Sequence, residues 1–497
     1  MPPLRQLTGH DASFLYADTV HANANVTFIQ IYDPITAPGG TVRFKSILAH
    51  IESRLHRSPL FRSKLLRVPL ELDNPYWVED EHFDLEYHVR HIALPKPGDW
   101  RQLCIQASRI HARALDLHRP LWEIYVIEGL DSIDDLPPGS FALLTKIHHA
   151  ALDMDSHHEV IDVLHDTTRK RPRPVPPARW FPERAPSAAS LLCRSAVHAV
   201  LSPSRLMGPL SRMAPAAKAF ARDLLRPEHA MNATRFNAVV SAHRVFDTRR
   251  FMVEEFERIR RLVPGATLDD AVLAVCAGGL RRYLDTHGEL PAADLAARTT
   301  LSGSALQRRG GASAARLARL GTCIADPVRR LALIHDDALA AGSHEPATDS
   351  AARAATHALP TASCNITRVP APAVPLYLGG ARMTYFSAIL PIADGLGLVF
   401  AVTRYDGRIV ISPTSCRELL PDPHAFTQCV RDSFQEYLAL APPAADAPDA
   451  VAPRAKPARP RASASGTRSP AVRKARKAAT TPAAAPTGRP RSTAPRR

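Results

Sequence analysis

Between Asp166 and about Arg235 the chain stops looking like a folded domain. From Arg169 it reads RKRPRPVPPARWFPERAPSAAS, and its repeated prolines fix φ and remove backbone donors, so regular helix is forbidden at its start. A break of this kind in 497 residues separates two stretches, 1–165 and 236–440, each of a size that one hydrophobic core can serve. A second change comes at residue 441. The segment 441–497 has no Phe, Trp or Tyr and carries 13 Lys plus Arg against two acids, so it cannot bury enough surface to offset chain entropy and is expected to be disordered. It accounts for +11 of the net charge of +15, which leaves the body nearly neutral at +4.

The stretch 1–165 reads as mixed α and β structure. Asn25 to Tyr32 (NVTFIQIY) alternates and is rich in β-formers, Val42 to Leu55 has helical spacing, and Leu121 to Ile127 and Phe141 to Ile147 are apolar runs of strand length. In 236–440, Thr267 predicts an N-cap with Asp270 three residues on. Leu268, Val272, Val275, Cys276, Leu280 and Leu284 then recur at helical spacing, so a buried helix is expected from about 268 to 286. Gly395 to Val402 and Ile409 to Ser412 read as strands joined at Asp406-Gly407, a dipeptide suited to tight hairpins.

Seven widely spaced cysteines without a CxxC pair indicate neither a disulfide framework nor a zinc cage. The opening MPPLRQLTGHDASFLYADTV has no basic segment leading into an apolar one, and no run approaches the roughly 18 apolar residues that span a bilayer. The expectation is a cytoplasmic protein that at most lies on a membrane. One segment suits that placement. From Met213 to Arg226, Lys218, Arg222 and Arg226 share one helical stripe and Met213, Ala217, Phe220 and Leu224 the opposite one, as in an interfacial helix. A helix packed on the body with its basic residues in water is the other reading.

The chemistry concentrates directly after the run Phe141 to Ile147, at His148-His149-Ala150-Ala151-Leu152-Asp153. With 22 His in the chain, such a His-His-x-x-x-Asp string arises by chance roughly 0.05 times. A strand end followed by a turn holds side chains rigidly while they face a cleft, and Ser156 with Glu159 forms a capping box for a helix just beyond. A neutral imidazole there can accept a proton from an alcohol, and an Asp four residues on can fix the turn. Two other readings stand beside this one. The histidines close a strand and bond locally, or His148, His149, Asp153, His157 and His158 hold a metal, since 149, 153 and 157 are spaced i, i+4, i+8, which requires one continuous helix that the capping box argues against.

These residues resemble the bacterial wax ester synthase/acyl-CoA:diacylglycerol acyltransferase family. The likeness rests on His148-His149-x-x-x-Asp153, on Pro120-Leu121-Trp122-Glu123 and on Asp11-Ala12-Ser13-Phe14-Leu15-Tyr16. It continues through ATLDDAVLAVCAGGLRRYL at 266 to 284, PLYLGGAR at 375 to 382, DGLGL at 394 to 398 and LLPDPHAF at 419 to 426. The resemblance implies an α/β fold of two CoA-dependent-acyltransferase-like domains, with mixed sheets and flanking helices, joined by a linker and followed by the disordered basic tail. The active site would lie in a channel between the domains.

It also implies an O-acyltransferase with acyl-CoA as co-substrate, no cofactor and no metal. The acceptor would be diacylglycerol or a long-chain alcohol, met at a membrane or lipid-droplet surface. The family's second His, here His149, would be the base. Asp153 would hold the loop, pairing with an Arg of the second domain, and His148 and Trp122 would shape the site. Asp270 and Asn365 fall on the family's second-domain motifs and are counted with them.

There are departures. The Gly that ends the family's motif is Met154 here, its Asn-Asp pair is Asp269-Asp270, and its Asn-Val-Pro-Gly-Pro stretch is only echoed from Asn365 to Pro370. The stretch 302–364 looks short and poor in strand. These departures leave a second reading, a weakened homologue that binds lipid or acyl-CoA without efficient turnover. The basic tail is the one feature pointing to nucleic acid. Without aromatic residues to stack on bases, it suits a tether or an anionic-lipid contact as well.

Overall fold

The computed structural model describes residues 5–152, 157–170, 180–182, 185–201, 234–301, 316–343 and 362–443. The segment Met213 to Arg226, Met154 and Asp153, and the tail from 444 onward lie outside the described residues.

In chain order the strands are β1 (Asn25–Asp33), β2 (Ser63–Leu66), β3 (Tyr76–Glu79), β4 (Val89–Ala93), β5 (Trp122–Glu128), β6 (Phe141–His148), β7 (Arg244–Phe246) and β8 (Arg249–Met252). They continue with β9 (Ala296–Thr299), β10 (Arg316–Arg319), β11 (Cys364–Arg368), β12 (Tyr377–Leu378), β13 (Ala381–Ile389), β14 (Val399–Tyr405) and β15 (Arg408–Cys416). They form a six-stranded sheet of order β12-β13-β1-β6-β5-β4 and a second sheet of order β10-β9-β11-β14-β15-β7, with β8 also on β15. A separate hairpin joins β2 and β3.

β1 is the axis of the first sheet. It pairs antiparallel with β6 on one side and with β13 on the other, and eight of its nine residues are buried. Its β-branched and aromatic side chains serve two cores at once. Val26 and Phe28 join Trp122, Ile124 and Ile147 on one face, whereas Ile29 and Ile31 meet Leu103, Ala107 and Ile110 of helix Trp100–Ala112 on the other. Each fully buried side chain of this size stabilises by about 1.5 to 3 kcal/mol. β12 and β13 come from the stretch 236–440, so the two halves share a sheet rather than merely touching.

In the second half, helix Leu268–Thr286 starts with the capping box expected of Thr267 and Asp270. It is buried almost throughout because it lies beneath the second sheet and against helix Pro423–Leu440. Gly278 and Gly279 permit that contact. A Cβ on Gly279 would sit 2.8 Å from Val430 Cα, and one on Gly278 2.1 Å from Ser433 Oγ. The hairpin of β14 and β15 turns through Asp406 and Gly407, at φ 49° and 72°, the doubly positive geometry that a two-residue hairpin turn requires. The first of these strands begins at Val399 rather than Gly395, since residues 393–396 form a tight turn with Gly395 at φ 79°. Between residues 302 and 364 the described part contains β10 and helix Pro327–Ser343.

The connecting segment is more than a linker. Helix Ala188–Leu201 lies in it, with Leu191 packed on Val68 and Tyr76. Trp180 donates its indole N–H to Glu79 at 3.2 Å while the Arg62 guanidinium stands 4.6 Å over its ring. Ala, Leu and Ser after Pro186 suffice for a helix once it has a surface to cover. Among the described residues no helix is long and apolar enough to cross a membrane.

Candidate active site

β6 carries His148 as its last residue, paired across from Asn25 of β1. The chain then leaves the sheet as a single tight turn, His149–Ala151. Backbone bonds from both neighbouring segments hold the exit. His148 donates its amide to Leu121 O at 3.0 Å and His149 to Ala24 O at 2.8 Å, and Leu152 N–H closes the turn on His149 O at 3.0 Å. Ala150 of the turn packs with Leu7, Ala12, Leu15 and Leu121, so helix Gly9–Ala17 supports it from below.

The two histidines have different surroundings. His148 is 1% exposed. Its Nδ1 accepts the Ala150 N–H at 3.1 Å and its Nε2 faces Asp18 Oδ2 at 3.0 Å, which in the neutral ring places the hydrogen on Nε2. Asp18 closes helix Gly9–Ala17, and its second oxygen accepts the Ala24 N–H at 2.7 Å. His149 is only partly buried. Its ring is stacked on Phe14, with centroids 3.8 Å apart and planes inclined by 19°, which fixes the ring plane.

The strand face shared by His148 changes from apolar to polar toward this end. Lys146 is fully buried with its Nζ 3.3 Å from Glu123, which also accepts the Tyr125 hydroxyl at 3.0 Å. Burial pulls the Lys146 ammonium below its ordinary pKa, against the partial support of Glu123. Thr27 meets His111 Nδ1 at 2.9 Å, and desolvation holds His111 well below the usual imidazole range, with Arg244 and Lys146 pushing the same way. The second half reaches the same end of the sheet. Arg244 donates to His21 O at 2.8 Å, and Asp394, from the DGLGL segment, lies 3.3 Å from His21 Nε2 and accepts the Val240 N–H.

Other residues singled out from the sequence stand apart. Trp122 is on the face of β5 opposite to His148. Its indole N–H donates to Phe61 O at 3.1 Å and its ring stacks on His88, so it fills the core between sheet and hairpin. Its bearing on the turn is through β5–β6 pairing, not through a shared pocket wall. Asp270 accepts the Thr267 N–H at 2.8 Å and faces His335 Nδ1 at 2.9 Å, while Asp269 pairs with Arg368. Asn365, on β11, accepts from the Thr367 hydroxyl at 2.9 Å. These three groups organise the second half. The i, i+4, i+8 set is not built on one helix, because Leu152 is extended (φ −102°, ψ 103°) and the next helix, His157–Leu164, starts after it.

A cleft of about 1180 Å³ opens elsewhere, between helix Trp100–Ala112 and the segments β7, β8 and 421–435. The buried Asp247 is central to it. It accepts from Trp100 Nε1 at 3.1 Å and from the Thr427 hydroxyl at 2.6 Å, and so ties the halves together. His149 does not line this cleft. The groups that sequence reasoning did not single out are Asp18, Ala24, Arg244 and the His21–Asp394 contact. All act across 100 residues or more, or through backbone, and leave no local pattern to read.

The family model for the wax ester synthase/diacylglycerol acyltransferase catalytic domain matches residues 7–272, and that for the C-terminal domain of the same family matches residues 339–437. Two Mycobacterium tuberculosis proteins that carry the name diacylglycerol O-acyltransferase are similar along most of their length. One is 32% identical over 446 residues, covering 81% of this chain and 90% of that protein. The other is 29% identical over 466 residues, covering 88% and 89%. Among solved structures, the wax ester synthase/diacylglycerol acyltransferase from Marinobacter aquaeolei VT8 has a TM-score of 0.64 at 24% identity, covering 88% of this chain and 99% of that one. The first condensation domain of the calcium-dependent antibiotic synthetase reaches 0.52 at 15%, covering 88% and 96%. The fold is thus the two-domain one of CoA-dependent acyltransferases and condensation domains. The chain is an acyltransferase and belongs to the wax ester synthase/diacylglycerol acyltransferase family.

Proposed function

We propose that this chain transfers a fatty acyl group from acyl-CoA to the hydroxyl of diacylglycerol, of a long-chain alcohol, or of both, with His149 as general base. The observation that carries the reading is the placement of His149. Its backbone is locked to β1 through Ala24, its ring plane is set by Phe14, and it stands immediately beyond the buried end of a central strand. In the reaction an imidazole nitrogen of His149 takes the hydroxyl proton as the oxygen attacks the thioester carbonyl. The carbon–sulfur bond then breaks and the proton passes to the departing CoA thiolate, so the base is restored. No acyl-enzyme is required.

Both acceptors are lipids, so the reading places the chain at the inner face of the membrane or on lipid inclusions, reached from the cytoplasm. The test mixes purified protein with labelled palmitoyl-CoA and either hexadecanol or dioleoylglycerol and resolves the neutral lipids. Labelled ester is expected with the wild type, and a loss of about 10² to 10⁴ in rate with His149→Ala. Wild-type turnover in that variant would exclude the mechanism. A wild type that binds palmitoyl-CoA without forming ester would establish the weakened homologue instead.

A further inference from the structure

Asp18 faces two donors with its two carboxylate oxygens, and both belong to the frame around His149. One oxygen lies 3.0 Å from His148 Nε2, and the His148 ring in turn accepts the Ala150 N–H through Nδ1, capping the turn His149–Ala151. The other accepts the Ala24 N–H at 2.7 Å, and the Ala24 carbonyl accepts the His149 N–H at 2.8 Å. From the sequence Asp18 is merely the residue after a helix. In the fold it reaches His149 by two independent routes, one through a side chain and one through backbone.

Resting on the reading of His149 as the base, we infer that Asp18 is a positioning residue for acyl transfer, fixing the His148 ring and the segment 18–24 so that His149 is aimed at the acceptor hydroxyl. A carboxylate is the group that serves both donors, since it accepts at each oxygen and donates at neither. An amide in its place presents an N–H₂ to one of them. If that end faces His148, the ring either meets it donor to donor at Nε2 or moves its hydrogen to Nδ1 and gives up the bond from Ala150. If it faces Ala24, the strap beneath the His149 amide is pushed away. The rest of the segment keeps its own ties, which run from Asn23 to Ala112 O and from Arg244 to His21 O, so the change is expected to loosen the aim rather than unfold the chain.

The test compares kcat, KM and melting temperature for wild type, D18N, D18E and H149A in the ester-forming assay. A misplacement on the order of 1 Å costs about 10²-fold in rate. D18N is therefore expected to lose about 10- to 100-fold in kcat with KM for palmitoyl-CoA within about twofold, whereas D18E, with both acceptors kept, recovers most of the loss. The double variant of D18N with His148→Ala is expected to lose less than the product of the single losses, because one route runs through His148. Should D18N melt near the assay temperature, D18E against D18Q, equal in size and different in acceptor capacity, makes the same comparison. D18N at wild-type kcat, or D18E and D18Q equally slow, overturns the inference. An inactive H149A beside a fully active D18N removes Asp18 alone, while a fully active H149A removes the base itself.

Discussion

The turn at His149 and the start of helix Leu268–Thr286 solve the same problem, fixing a short polar segment at the edge of a core, by opposite means. At Thr267 the two capping bonds are local, although Asp270 also faces His335. The Thr267 hydroxyl accepts the Asp270 N–H at 3.1 Å and Asp270 accepts the Thr267 N–H, three residues apart. At His149 the partners are Leu121, Ala24 and, through His148, Asp18, and no residue within the turn could replace them. A local device adds stability wherever it sits. A device assembled from distant segments exists only in the finished fold, so it suits a site whose geometry must be set by the whole molecule.

His148→Ala should break the contrast hardest on the side of rate. It removes the cap on Ala150 and one partner of Asp18, and is expected to lower kcat about 10-fold or more while the melting temperature stays within a few degrees. Thr267→Ala should do the reverse. Loss of one capping oxygen costs about 1 kcal/mol, near 2 to 4 °C in a domain of this size, with kcat within twofold. Thermal melts beside the ester assay on both variants check the pair. An unstable His148 variant, or a slow Thr267 variant, would abolish the distinction.

A pH series sharpens it differently. The first half has buried neutral imidazoles. His165 accepts the Tyr32 hydroxyl at 2.5 Å and desolvation lowers its pKa to about 4, and burial lowers His88 and His111 as well. The unfolded chain takes up protons near pH 6.5, at a higher pH than the fold does, so this contribution is complete above about pH 6.5 and fades as pH falls toward about 4. Melts between pH 7.5 and 5 should change little down to about pH 6.5 and then fall progressively, the fall being reduced in His165→Gln. The smallest effect expected is a gain. Met154→Gly restores the family's glycine and, if the motif's turn takes a positive φ at that position, is expected to raise the rate in the ester assay about fivefold or less, an unchanged rate removing the argument.

Those two devices also show which features the sequence makes legible. The helix start, the Asp406-Gly407 hairpin and the strands near Asn25, Leu121 and Phe141 follow from spacing and propensity, and the structure has them within a few residues. His148 and His149 are found by motif. Asp18 is not, because its two partners lie 6 and 130 residues away and a lone Asp after a helix carries no periodicity. The sequence likewise groups Trp122 with His148, because proximity of motifs along the chain does not say which face of a strand a side chain takes. Alternation does say so, and the pairing of Trp122 with Ile147 rather than with His148 sets the two on opposite faces. Nor does any local signal announce that β13 leaves the second half to join the first sheet.

That crossing has a consequence for synthesis. β1 and β6 are complete once residue 148 has left the ribosome, but the other edge of β1 is paired by residues 381–389. At about 5 to 20 residues per second, the 241 residues between 148 and 389 take roughly 12 to 50 s to make. For that interval the nascent chain carries an open strand edge, NVTFIQIYD, of the apolar, β-rich kind that recruits other chains. Recovery of active protein should therefore depend less on the final stability of the fold than on what shields β1 while the ribosome is still at work on its partner.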